Sequence, residues 1–263
     1  MLRASKAFMI VLCMVVTPPA YGLDRANLLF YLPFENSLRP AIAQADTEIR
    51  QADFVFPFKG SFSGSDAAVT RGKADDAGKV TGRATFVPGR RGLGLKAIDN
   101  PARSKVYSYP VVQYLARDSL ARNEGTIAVW MKPVGWSRNR NNHRYFMAVT
   151  ADNCTIRLYA YGHKTYAWVD GQDRYVLIGG SEWAGWKDDT WAFMTFTFKP
   201  GRQSFYLNGR LMNTMTEGLI EPQFGTTGVV EISEGSQVLD EMMIFNRALT
   251  SREVGAVYRA NAP

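Results

Sequence analysis

Val238-Leu-Asp-Glu-Met-Met-Ile-Phe-Asn-Arg-Ala-Leu-Thr-Ser-Arg-Glu-Val-Gly-Ala-Val-Tyr258 decides the fold. Its first half is apolar except for Asp240 and Glu241 and reads as a buried strand. Asn246 and Arg247 then supply a turn, and Thr250 or Ser251 caps a short helix in which Glu253 is spaced to close a capping box. Upstream, short apolar alternations are separated by Gly, Asn, Asp and Pro, and no second helical period occurs. That pattern predicts an all-β sandwich closed by one C-terminal helix.

Five earlier blocks stand in a fixed order. They are Leu29-Phe-Tyr-Leu-Pro-Phe-Glu-Asn-Ser37, Phe86-Val-Pro-Gly-Arg-Arg-Gly-Leu-Gly-Leu95, Gly125-Thr-Ile-Ala-Val-Trp-Met-Lys-Pro133, Asp189-Thr-Trp-Ala-Phe-Met-Thr-Phe-Thr-Phe198 and Phe205-Tyr-Leu-Asn-Gly-Arg210. Together with the closing strand and helix they resemble the laminin-G-like (concanavalin A-like) jelly-roll domains: an opening strand, a glycine-rich turn, two tryptophan strands and a late hairpin. The resemblance covers nearly everything after the first two dozen residues. It implies a β-sandwich and a class of partner, carbohydrate or a cell surface, but no particular reaction.

Residues 1–22 read as a signal peptide. Arg3 and Lys6 precede the apolar run Phe8 to Val16, Pro18 and Pro19 break it, and Ala20-Tyr-Gly22 offers small residues at a cleavage site. The run falls short of the ~20 apolar residues that a membrane-spanning helix needs. The expectation is a secreted or periplasmic protein whose residues 23–263 form one laminin-G-like domain, without a transmembrane segment in the mature chain. Only Cys154 would remain after cleavage, so packing and not an intramolecular disulfide must hold the fold. Asn153-Cys-Thr155 matches a glycosylation acceptor by chance.

Of the formal charge of +7, Arg3 and Lys6 of the leader carry two and no acid offsets them, so the mature chain keeps a basic surplus that favours polyanions at long range. No helix-turn-helix, zinc-ligand or RNP-like pattern is present, so nucleic acid is not an expected partner. An acidic polysaccharide or anionic cell surface suits both charge and compartment. Between Pro40 and Gly82 the pattern weakens to one strand-like piece, Ala52 to Phe58, read as a long surface connection. Asp170-Gly171 and Asn208-Gly209 are type I′ turn signals.

Thr155 to Val169 carries the candidate binding residues. Side chains alternate along a strand, so a two-residue turn at Gly162-His163 sets Tyr159 opposite Tyr166 and Arg157 opposite Trp168 on one face, which Tyr161 shares. Ile156, Leu158, Ala160, Thr165, Ala167 and Val169 share the other. Aromatic rings flanked by hydrogen-bonding groups suit sugars, which offer C–H faces and hydroxyls at once. Two loops frame this platform: Trp136 to Tyr145, with Arg138 and Arg140, and Ser181 to Asp189, with Trp183 and Trp186. Trp130 and Trp191 lie inside strand blocks and are expected in the core.

The resemblance also implies a structural Ca2+ shared by an acidic residue after the opening strand and the Asp of the closing strand. Here these are Glu35, where Asp is more usual, and Asp240, whose other reading is a turn cap or a partner for Arg247. Oxygen donors are what this hard cation needs. Catalysis has less to work with. A glycoside hydrolase needs two carboxylates about 5 to 9 Å apart, and Glu231 and Glu234 fall on opposite faces of an extended strand. A divergent lyase would have to use His143 and Tyr145 around Arg144. The sequence therefore points to a noncatalytic glycan-binding or surface-interaction module, with a structural or adhesive protein-binding domain, or a divergent polysaccharide lyase or glycoside hydrolase on the same fold, as the alternatives.

Overall fold

The computed structural model describes residues 27–35, 37–38, 40–43, 47–52, 67–72, 84–97, 110–115, 120, 123–135, 144–161, 164–172, 176–178, 189–225, 228–233 and 236–261. In chain order these contain β1 (Leu28–Leu32), β2 (Ile42–Ala43), β3 (Thr47–Ala52), β4 (Ala67–Gly72), β5 (Ala84–Pro88) and β6 (Leu93–Ala97). Next come β7 (Pro110–Leu115), β8 (Gly125–Pro133), β9 (Arg144–Thr150), β10 (Thr155–Tyr161), β11 (Lys164–Val169) and β12 (Val176–Ile178). The chain closes with β13 (Ala192–Lys199), β14 (Arg202–Leu207), β15 (Arg210–Met215), β16 (Val229–Ser233), β17 (Gln237–Phe245) and helix α1 (Ser251–Asn261).

These strands form two antiparallel sheets. The first runs β15-β14-β13-β8-β17-β1-β2, with β6 also paired to β17 and β5 to β6; the second runs β12-β11-β10-β9-β16-β7-β3-β4. Leu28 pairs Phe245 and Leu32 pairs Met242, so the opening strand lies on the closing one. The stretch after Pro40 is more than a surface connection, because β3 extends the second sheet by pairing β7. Its strand covers Thr47–Ala52; the expected piece at 53–58 lies outside the described residues.

Inward residues of both sheets, among them Phe30, Val129 and Phe196 facing Tyr114, Phe146 and Ile232, make the main core. A second apolar cluster forms on the back of the first sheet, where Tyr31, Trp130, Phe193 and Tyr206 are covered by Val254 and Val257 of α1. Central strands β8 and β17 are thus covered on both faces, which explains their nearly unbroken apolar runs. Trp130 is buried as expected, but beneath the helix and not between the sheets, and Trp191 packs half-buried beside it.

Thr250, not Ser251, caps α1. Its N–H donates to Glu253 Oε2 at 2.8 Å, and the Glu253 N–H returns to Thr250 Oγ1 at 3.4 Å. Arg247 pairs with Glu253 at 2.7 Å and not with Asp240. The hydrogen bond from Arg247 and the cap hold the Glu253 carboxyl down at about 2. Because the folded value lies below the unfolded one, this stability is present above pH 4.5 and lost as pH falls through about 2. Glu253→Gln is expected to cost about 1 to 2 kcal/mol at neutral pH. Urea titrations should show that difference shrinking toward pH 2, and an equal difference at both pH values would refute the assignment.

The turns settle differently. Asn208 (φ 49°) and Gly209 (φ 78°) both adopt positive φ, as a type I′ turn requires. At Asp170-Gly171 only Gly171 does (φ 94°), with the Gln172 N–H donating to the Val169 carbonyl. That is the pattern of a type II turn, because type I′ needs positive φ at both positions.

Candidate functional site

The β10–β11 hairpin has the register read from the sequence: Arg157 opposite Trp168, Tyr159 opposite Tyr166 and Tyr161 opposite Lys164. Ile156, Leu158, Ala167 and Val169 go to the core, leaving Arg157, Tyr159, Tyr166 and Trp168 on the outer face of the second sheet. There the rings form a column. Tyr159 stacks on Tyr166 at 4.8 Å with planes 7° apart and on Tyr145 at 4.9 Å, and Trp168 meets Tyr159 edge-on at 6.5 Å.

Both faces of Tyr159 are therefore covered by other tyrosines, and it is only 4% exposed. Tyr145, Tyr166 and Trp168 are half-buried. Of the residues expected on the platform, Tyr159 is its spacer, while Tyr166 and Trp168 stand further out. Trp168 is oriented by its own Nε1–H, which donates to the Gln172 carbonyl at 3.3 Å.

Cross-strand pairing extends the row of Arg157 over the sheet. Arg157 lies opposite Ala148, Ala148 opposite Glu231, and Glu231 opposite Gln113. Gln113 Nε2 donates to Glu231 Oε1 at 2.6 Å. Burial pushes the Glu231 carboxyl above its usual range, opposed by this hydrogen bond and by the charge of Arg157. Arg157 donates Nε to both oxygens of Asp170 at 2.9 Å and sits 5.9 Å from the Tyr145 ring centre. Sequence reasoning weighed Glu231 only as a catalytic carboxylate and Asp170 only as a turn residue, and passed over Gln113 and this role of Tyr145. The alternation Val230-Glu231-Ile232 was a local signal for an outward Glu231, but nothing local places it beside Arg157.

Glu35 and Asp240 converge on one loop. Asp240 is fully buried; its Oδ2 accepts the N–H groups of Arg90 (2.7 Å) and Arg91 (2.9 Å), and its Oδ1 that of Glu241. Glu35 Oε2 accepts the Leu93 N–H at 3.0 Å. Gly92 holds φ 43° against Glu35, where a side chain would collide with the carboxylate. Leu239 and Met242 both enter the main core, so the bulge between them turns Asp240 and Glu241 to the same side. There Tyr31 donates its hydroxyl to Glu241 at 2.8 Å.

Burial lifts the Asp240 carboxyl to about 8, the adjacent Glu241 adds to the rise, and the backbone N–H groups oppose it. Calcium needs six to eight oxygens with open lone pairs. Three of the roughly four acceptor positions on Asp240 are already taken by N–H donors. This donor set fits an anchor for the 89–93 loop.

Trp136, Arg138, Arg140, His143, Trp183 and Trp186, together with the Gly162-His163 turn and Glu234, lie outside the described residues. Asn153 spends its amide within the fold, accepting the Gln223 N–H and donating to the Glu221 carbonyl. Burial pushes the Cys154 thiol up to about 11, aided by Asp170, which leaves it protonated and a poor nucleophile. Among the described residues no helix is long and apolar enough to cross a membrane.

Solved structures with this fold include the binding domain of botulinum neurotoxin DC in complex with SialylT (12% identity, TM-score 0.58, 89% of this chain and 51% of that one). The binding domain of Paraclostridial Mosquitocidal Protein 1 is similar (14%, 0.55, 89% and 52%). Domain 4 of AbnA, an extracellular arabinanase from Geobacillus stearothermophilus, in complex with arabinotriose, matches over 88% of this chain and 98% of that one (15%, 0.57). The chain spans about half the length of the toxin chains it matches. No curated protein matches it. The sequence profile of the concanavalin A-like lectin/glucanases superfamily matches residues 109–255, more than half of the 263 residues, from β7 to the first turns of α1. With a two-sheet antiparallel sandwich closed by a C-terminal helix, the chain belongs to the concanavalin A-like lectin/glucanases superfamily.

Proposed function

We propose that this chain is an exported, noncatalytic module that binds glycan on the outer face of its second sheet. The observation that carries the reading is the column Tyr145, Tyr159, Tyr166 with Trp168 at its edge, beside the hydrogen-bonding row Arg157, Glu231 and Gln113. Rings held by their neighbours lose little conformational freedom on binding, and the polar row supplies partners for hydroxyls. Fold relatives solved with SialylT and with arabinotriose support the same class of ligand.

The adhesive alternative calls for an exposed apolar rim. Among the described residues the exposed large apolar side chains are Tyr161 and Leu211, which sit on different sheets, so the glycan reading is the better supported. Export is part of the proposal: mass spectrometry of the extracellular or periplasmic fraction should find a chain that begins near Leu23.

A glycan array with the mature chain tests the binding itself. Trp168→Ala is expected to weaken the best glycan at least about tenfold, or about 1.4 kcal/mol. Leu211→Ala, exposed on the other sheet, should change it little. Array binding that survives Trp168→Ala moves the site elsewhere, and turnover of the bound glycan would overturn the noncatalytic reading.

A further inference from the structure

The charge of the whole chain and the charge of this face differ. On the outer face of the second sheet the charged side chains described are Arg157 and, at the hairpin end, the exposed Lys164, against Asp170 and Glu231; by register, β3 and β4 add Arg50 opposite Gln113 and Glu48 opposite Arg71, so both signs alternate across the face. The Arg157 guanidinium is engaged by both oxygens of Asp170, with Nη2 also 2.9 Å from Oδ2. To grip a sugar carboxylate or sulfate it would have to release Asp170, leaving that half-buried carboxylate without its partner. Across Ala148 an acidic sugar would meet Glu231, a like charge when ionised. The basic surplus of the mature chain acts from a distance and is screened beyond ~10 Å at moderate salt.

We propose that this face, if it binds glycan, takes an uncharged saccharide and not an acidic one. Glu231, half-buried, is the hydroxyl-binding group, oriented by the buried Gln113, and Trp168 with Tyr166 forms the stacking edge. A carboxyl group so held offers its free acceptor positions to neighbouring hydroxyls. The 2.6 Å bond between Gln113 and Glu231 fixes their orientation before a ligand arrives, and Arg157, tied to Asp170, supports Glu231 electrostatically. The proposal rests on the glycan reading and narrows it.

Titration calorimetry of the mature chain with arabinotriose, cellotriose and trigalacturonate, at low and high salt, tests it. A neutral trisaccharide should bind with an affinity that salt changes by less than about twofold. Glu231→Ala should weaken that affinity at least about tenfold, with Glu231→Gln losing less, because the amide keeps an acceptor and the shape. Should Glu231→Ala fail to fold, Glu231→Gln together with Gln113→Ala reads the same pair. Tighter binding of trigalacturonate, collapsing at high salt, overturns the neutral assignment while keeping the glycan reading. Absence of binding to every saccharide here and on the array overturns both.

Discussion

Trp130→Ala should remove about 3 to 5 kcal/mol of stability, a large truncation effect for a side chain only 1% exposed. The ring packs against Phe193 at 5.2 Å and Tyr258 at 5.6 Å, and the Arg90 guanidinium lies 4.5 Å above it. Its indole N–H has no acceptor among the described residues, so the loss is one of packing and not of a hydrogen bond. The ring fills the space between β8 and α1, so the cavity opens under the helix. Urea denaturation should show a lower midpoint, and proteolysis should release the C-terminal helix first. A midpoint within about 1 kcal/mol of wild type would mean that α1 contributes little to the fold, contrary to its buried Val254 and Val257.

Asp240→Asn should cost about 2 to 4 kcal/mol, because whichever way the amide turns, its NH2 faces backbone N–H donors that the carboxylate had accepted. The variant keeps size and shape, so packing is not what changes. The same experiment decides between a loop anchor and a calcium ligand. With the anchor, a chelator leaves the melting temperature of wild type unchanged and Asp240→Asn is unstable in either buffer. With calcium, a chelator lowers the wild-type melting temperature toward that of the variant, since a ligand bound to the native state at a hundredfold excess over Kd adds about 2.7 kcal/mol. Glu35→Ala should behave as a milder version of Asp240→Asn, because Glu35 holds one N–H of the same loop.

Local sequence was enough for whatever depends on neighbours along the chain. The capping box at Thr250 and Glu253, the Asn208-Gly209 turn and the alternating faces of the β10–β11 hairpin come from residue chemistry at separations of two to four positions. The order of the strand blocks sufficed for the sandwich, because period-two patterns of this kind bury their apolar faces only by stacking two sheets. Features that depend on contacts distant in sequence were decided by the tertiary structure. Trp130 lies under α1 because β8 is covered on both sides; Asp240 and Glu241 share a side because of a bulge; and Glu231 faces Arg157 only because β16 pairs β9. The charge available at the site is of this second kind. Composition reports +7 for the chain, yet the arginine on the aromatic face is neutralised by Asp170, thirteen residues away, through a pairing that a count of residues does not contain.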